Sequence, residues 1–224
     1  MLKKYLTALI AISALSMAVP SQANWFWPEK STALPSITLQ SGVMMPSAKP
    51  IALFKTQPQF HFSDQNNQAF GVENFKKQWT LVFFGFSYCP MLCPTTLAQL
   101  NNAYQQLTMD HFTPLPQIIF VTIDPARDST ANVKKFVRAF NPNFIGLRTD
   151  DVTSLGAFAH ELDAAYEKVP GSGKDKDKKG LYTYTHTGDI AVLNPEGELV
   201  AMLTMPHTDK DIAHDYQAIV NQLK

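Results

Sequence analysis

Apolar positions change period several times between Phe60 and the end of the chain, and each change marks an element. Phe60-His61-Phe62 alternates like a short strand, Asp64 to Asn67 is rich in turn residues, and Ala69-Phe70 is placed to return as its partner. Val72 to Lys77 predicts a short helix. The run Thr80 to Phe86 is nearly all apolar, as expected of a strand covered on both faces, and Gln117 to Ile123 repeats that pattern. Between them Pro94, a good first-turn residue, opens a helical stretch carrying Leu97, Leu100, Tyr104 and Leu107 on one face. A further helix is predicted from Val133, Phe136, Val137 and Phe140 and is ended by Asn141-Pro142; Phe144 to Leu147 reads as extended. Val152 to Tyr166 predicts a helix with Leu155, Phe158, Ala159 and Leu162 inward. Asp189 to Leu193 and Glu198 to Leu203, joined by Asn194-Pro195-Glu196-Gly197, predict a hairpin. Thr208 to Leu223 predicts a closing helix, with Thr208 as cap and Ile212, Tyr216, Ile219 and Leu223 inward.

Strands alternating with helices, then a hairpin and a last helix, predict an α/β fold in which a central mixed sheet is flanked by helices. This domain is expected over residues 59–224. Residues 24–58, rich in Pro and Ser and starting with the aromatic Trp25-Phe26-Trp27, read as an extended lead-in. Residues 1–23 read as an export signal. Lys3 and Lys4 precede a mainly apolar run from Tyr5 to Val19, and Ser21-Gln22-Ala23 supplies small residues for cleavage. That run, of about 15 residues, is short of the roughly 20 that a membrane span needs. A periplasmic location follows as the expectation, with an uncleaved anchor in the inner membrane as the alternative. Pro170 to Gly180, built from Gly, Ser, Lys and Asp, reads as a solvated loop.

A chain of 224 residues suits one domain with short extras, and its 45% apolar content is enough for a sizeable core. Lys and Arg balance Asp and Glu, and no basic stripe is present, so nothing in the charge pattern favours nucleic acid as a partner.

The chemistry concentrates in Phe86-Ser87-Tyr88-Cys89-Pro90-Met91-Leu92-Cys93-Pro94. A buried strand ends there, and the two cysteines of the chain flank the start of the next helix. A disulfide closing so short a loop would stabilise little, because it removes little chain entropy. Free backbone N–H groups and the helix dipole should instead depress both thiol pKa values and populate thiolates. Spacing of four positions brings residues to one side of a helix, so both sulfurs could face one ion. Soft thiolates select Cu(I), zinc or iron–sulfur clusters, but two cysteines need a further ligand. Of the six histidines, His61, His111, His160, His186, His207 and His214, the best candidate is His186, which lies just before the hairpin. Two sulfurs and an imidazole would suit Cu(I) or Cu(II). On its position alone a lone histidine such as His186 is more often structural than a ligand. A central strand that delivers its end to a cysteine turn opening a helix is the thioredoxin arrangement, in which the loop carrying His186 faces that turn.

Trp79 to Pro90 followed by Cys93-Pro94-Thr95-Thr96-Leu97, the loop Asp124-Pro125-Ala126-Arg127-Asp128-Ser129, and His186 ahead of the Asn194 to Gly197 turn together resemble the Sco/SenC family of copper-binding thioredoxin-like proteins. Gly42-Val43-Met44-Met45-Pro46 is similar to the family's lead-in, so the resemblance runs from about Gly42 to the end. It implies copper held by Cys89, Cys93 and His186, with Cys89 and Cys93 as a redox-active pair. It also implies a part in maturing the dicopper centre of cytochrome c oxidase, by handing over copper or by reducing the target's cysteines. The expected partners are the copper-bearing subunit of that oxidase or another copper chaperone, with a membrane touched only through the partner or an anchor. Such a protein is a metallochaperone rather than an enzyme, unless its thiols act as a reductase. One departure is Met91, which stands where the family usually has Asp; it makes the turn less polar, and its thioether could favour Cu(I).

Two rival functions use the same residues. A general thiol–disulfide oxidoreductase of the cell envelope would need the thiolates but not His186. A peroxiredoxin-like peroxidase is loosely suggested by Cys93-Pro94-Thr95, but Pro90 stands where such enzymes place a hydroxyl residue. Copper storage or sensing is a third option. Asp124, Arg127 and Asp128 are expected either to cap a helix with an internal ion pair or to orient the ligands. Tyr88 is expected to pack against its strand. Met202, Met205 and His207 could make a second soft site, although strand alternation accounts for the methionines, and Met44 and Met45 read the same way. Lys174, Lys176, Lys178 and Lys179 are interleaved with Asp175 and Asp177, as on a solvated loop.

Overall fold

The computed structural model describes residues 60–171 and 181–223, together with the backbone of two short strands, Val43–Met44 (β1) and Ile51–Ala52 (β2). The expected export signal, most of the lead-in and the lysine-rich segment 172–180 lie outside the described residues. All described residues belong to the compact unit 34–224.

The core strands form because long apolar runs can lose both faces to helices. Thr80–Gly85 (β5) is buried at every position, and Gln117–Thr122 (β6) pairs with it in parallel, Thr80 opposite Gln117. Ile145–Arg148 (β7) continues the parallel set. On the far edge, Phe62–Asp64 (β3) runs antiparallel to β7, and Ala69–Phe70 (β4) pairs with β3. On the other side, Ile190–Leu193 (β10) is antiparallel to β5, and Glu198–Leu203 (β11) closes the expected hairpin. Gly197 takes φ 79° in that turn, a backbone region that favours glycine. β1 and β2 both pair with β11. The result is the predicted mixed sheet, in the order β1-β11-β10-β5-β6-β7-β3-β4.

Four α-helices flank it among the described residues: Leu92–Met109 (α1), Thr130–Arg138 (α2), Val152–Glu161 (α3) and Asp209–Leu223 (α4). Each start has a local cause. Ser129 accepts the N–H of Asn132 at 3.2 Å, Asp151 accepts those of Thr153 and Ser154, and Thr208 Oγ1 accepts that of Asp211. The core on the α3 side is aromatic: the Phe158 ring lies 5.2 Å from those of Phe60 and Phe62, 5.5 Å from Phe75 and 5.6 Å from Phe84. The segment Val72–Phe75 is a 3₁₀ turn rather than the expected short helix.

One expected helix is too long. The stretch Val152 to Tyr166 leaves helical geometry after Glu161, because Asp163 takes φ 52° and breaks the repeat. Tyr166–Pro170 (β8) then pairs antiparallel with Tyr182–His186 (β9), Tyr166 opposite His186. The segment expected to be a loop carrying His186 is therefore a strand. Among the described residues this hairpin is a separate two-stranded sheet, without strand pairing to the main one.

Candidate metal centre

The cysteine turn is made by the end of β5. Phe86 is buried, the chain turns through Cys89 N–H donating to Phe86 O at 3.1 Å, and α1 begins at Leu92. Cys89 thus precedes the helix, and only Cys93 lies on it. The convergence of the two sulfurs comes from the turn and not from four-residue helical spacing, which corrects the expectation from sequence. Met91 occupies the N-cap position and offers no capping side chain. The Cys89 sulfur takes that role, accepting the Cys93 N–H at 3.4 Å.

Cys89 is half-buried, Cys93 is fully buried, and both are free thiols. The expectation that both are acidified holds for one of them. The Cys89 thiol is lowered to about 4, first by the hydrogen bond from the Cys93 side chain, against the effect of burial, and then by His186 and the backbone N–H groups of Cys93 and Met91. The Cys93 thiol is pushed up, by its hydrogen bond to Cys89 and by burial. Two neighbouring sulfurs cannot both ionise cheaply, so the less buried one carries the charge and the fully buried one keeps the proton.

The imidazole arrives from β9. His186 Nε2 lies 3.4 Å from Cys93 Sγ, and the ring packs 6.0 Å from those of Phe83 and Phe86. Its Nδ1 is 2.8 Å from the carbonyl oxygen of Thr187, which can only accept, so Nδ1 donates there and Nε2 is the ring atom that faces the sulfurs. The donor atoms of Cys89, Cys93 and His186 all lie within 4.8 Å of one another, the one such set of three His, Cys, Asp or Glu among the described residues. Metal bonds of about 2.3 Å to sulfur and 2.0 Å to nitrogen, in trigonal geometry, place donors roughly 3.7–4.0 Å apart. The set fits a soft ion after side-chain shifts of about 1 Å, and two sulfurs with one imidazole match copper's preferences.

Around this set the Asp124 to Asp128 loop does more than cap. Asp124 and Asp128 are both fully buried. Asp128 accepts the backbone N–H of Ser87 at 2.9 Å and the hydroxyls of Ser87 and Thr122, which pins the start of the cysteine turn. The capping is left to Ser129. Arg127 pairs with Asp124 and reaches β9, where its Nη1 donates to Tyr182 O at 3.0 Å. Tyr182 Oη donates to Asp124 Oδ1 at 2.8 Å, and burial together with that carboxylate pushes its phenol up to about 12. The aromatic residues of β9 carry no interpretable signal in the sequence, because the stretch leading to His186 reads as a loop. Tyr88 departs from expectation as well. It is 57% exposed rather than packed on its strand, with the Arg127 guanidinium 5.2 Å over its ring.

The other histidines go elsewhere. His207 is buried and bonds to Gly188 O at 3.1 Å; His61, His111, His160 and His214 are exposed. Met202 is buried in β11, whereas Met205 is 48% exposed and packs against Gly188, so these residues occupy unlike environments and not one soft site. No described helix is long and apolar enough to cross a membrane.

Comparison with known proteins agrees with this geometry. A family model described as SCO1/SenC matches residues 49–221. A protein from Stutzerimonas stutzeri named for copper binding is 31% identical over 175 residues, covering 77% of this chain and 82% of that one. The human mitochondrial SCO2 homolog is 33% identical over 141 residues, 63% of this chain but only 51% of its own length. The structure of Bradyrhizobium japonicum ScoI with copper bound superposes with a TM-score of 0.59 at 29% identity, covering 70% of this chain and 94% of that one.

Proposed function

The chain belongs to the SCO1/SenC family, and from that premise we propose that it binds copper through Cys89, Cys93 and His186 and serves the maturation of the dicopper centre of cytochrome c oxidase. The observation that carries this reading is the 3.4 Å approach of His186 Nε2 to Cys93 Sγ across 93 positions of sequence, with the Cys89 sulfur beside them. A dithiol reductase needs the two sulfurs alone, whereas a metal site needs a third donor beside them. Copper supplies the soft acceptor that two sulfurs and one nitrogen satisfy. Cys89 stands ready as an ionised donor at neutral pH; Cys93 must release its proton, so loading liberates acid. The site of action is the periplasm, reached through the lysine-led apolar segment at the start of the chain, and the recipient is the oxidase's copper-bearing subunit or another copper carrier.

The test is titration of the reduced protein with Cu(I) and Cu(II) against a chelator of known affinity, comparing wild type, His186→Ala and Cys89→Ser. One copper per chain is expected, with sulfur-to-copper charge-transfer bands for Cu(II). Both variants should bind at least about 10-fold more weakly, as loss of a ligand costs no less than loss of its supporting groups. Equal affinity for wild type and His186→Ala would sink the copper reading.

A second reading is favoured by the asymmetry of the thiols. The half-buried, ionised Cys89 is placed to attack a partner disulfide, and the fully buried Cys93 to resolve the mixed disulfide. Two electrons and the Cys93 proton then pass to the target's cysteines, solvent supplies the second proton, and this chain is left with a Cys89–Cys93 disulfide. Reduction of an oxidised dicopper-site peptide by the copper-free protein, at a rate unchanged in His186→Ala, would select this role over copper delivery.

A further inference from the structure

His186 rides on a hairpin that stands apart from the main sheet. Among the described residues β8 and β9 pair only with each other, so no described backbone ladder fixes the height of the imidazole above the cysteine turn. After His186 the chain is tied down: Gly188 O bonds to His207 Nε2 at 3.1 Å, and Asp189 accepts the Met205 N–H at 3.0 Å. Before His186 the ties are side chains.

Tyr182, Tyr184 and His186 share one face of β9, since strand side chains alternate. Tyr184 rests on Phe86, with ring centroids 5.6 Å apart. Tyr182, roughly 13 Å along the strand from His186 at about 3.3 Å per residue, is gripped at its carbonyl, at its hydroxyl and on its ring. Its carbonyl accepts from Arg127 and its hydroxyl donates to Asp124. The Arg127 guanidinium lies 3.8 Å from its ring centroid and the Lys168 ammonium 3.7 Å. Two cations that close cannot share a face, so the ring is held between them. Arg127 and Asp124 pair with each other, and the Asp124 side chain has no exposed surface. The loop that follows β6 thereby clamps the strand that delivers the imidazole.

We infer that Asp124, Arg127 and Tyr182 are positioning residues: they latch the far end of β9 so that His186 stays within bonding range of the sulfur pair. The inference deepens the proposed function and rests on it only for the copper readout. The latch acts through His186 and touches neither sulfur.

The discriminating experiment is a double-mutant cycle with a metal-free control. Tyr182→Phe removes one hydroxyl and keeps the ring; Arg127→Gln removes the clamp; Arg127→Lys keeps the charge but loses the planar stack and is expected to restore part of the effect. Copper affinity by chelator competition should fall about 3- to 10-fold in Tyr182→Phe and about 10- to 100-fold in Arg127→Gln, the range for groups that orient a ligand. The charge-transfer bands should move toward those of His186→Ala. In the His186→Ala background neither substitution should weaken copper further. In the copper-free protein, amide hydrogen exchange over Tyr182 to His186 should speed up in both variants while the core strands stay protected. An equal loss in the His186→Ala background, or unchanged exchange in both variants, overturns the latch. If wild type and His186→Ala bind copper alike, the proposed function fails, and the exchange result alone still decides the latch. Tyr182→Phe leaves no buried charge behind, so the test survives if Arg127→Gln does not fold.

Discussion

Gly85→Ala is the substitution that most directly probes how the cysteine site is packed. Gly85 ends β5 and backs the sulfur of Cys93. A Cβ placed on it would stand 2.7 Å from Cys93 Sγ, 2.9 Å from Phe120 Cε2 and 3.3 Å from Phe83 Cε1. Ordinary contact needs about 3.5–4.0 Å, so the sulfur must retreat by roughly 1 Å. The two phenyl rings close the lateral routes, and both are fully buried. Overpacking of this kind costs about 1–3 kcal/mol. For a protein of this size each kcal/mol lowers Tm by about 2–4 °C, so a drop of roughly 2–12 °C is expected by calorimetry of the reduced protein. The functional effect should be larger in proportion. With the space behind it filled, Cys93 Sγ loses the freedom to make the shift of about 1 Å by which the three donors close on an ion, and copper affinity should fall by about 10-fold or more. Gly71→Ala is the control. A Cβ there meets nothing within 4 Å and φ is −127°, so both stability and copper affinity should stay at wild-type values. A Gly85→Ala protein with Tm within about 1 °C of wild type and unchanged copper affinity would refute the packing of Cys93 described above.

Alkylation of the reduced, copper-free protein should divide the cysteines by pH. The thiolate is the reactive form, and the Cys89 thiol is held near 4, so its rate should stay flat from neutral pH downward and halve only near pH 4, while Cys93 stays protonated and slow throughout. Site-resolved mass spectrometry checks this; a Cys89 midpoint in the ordinary thiol range of about 8–9 would disprove it. Phe158→Ala should destabilise by about 3–5 kcal/mol, lowering Tm by roughly 6–20 °C, because it empties the centre of a cluster that touches Phe60, Phe62, Phe75 and Phe84. Denaturant unfolding measures it, and a loss below about 1 kcal/mol would show that this aromatic layer is loosely packed.

The sequence determined what local pattern can determine. Runs such as Thr80 to Phe86 and Gln117 to Ile123 have no stable option but burial on both faces, so the two buried central strands were legible, as were the hairpin at Asn194 to Gly197 and the helix capped by Thr208. The cysteine turn was equally plain, because Cys89 and Cys93 lie within reach along the chain. Tertiary structure decided whatever depended on partners far apart in sequence. Tyr166–Pro170 is a strand only because Tyr182–His186 lies beside it, and no window of Val152 to Tyr166 contains that partner. Which thiol ionises follows from depth: both cysteines flank a helix start, but only Cys93 is enclosed. Asp124, Arg127 and Tyr182 meet across more than 50 positions, so a clamp on the strand carrying His186 becomes visible only when the fold closes the distance. Local chemistry can be read from neighbours in the chain, whereas desolvation and long-range contact are properties of the folded volume.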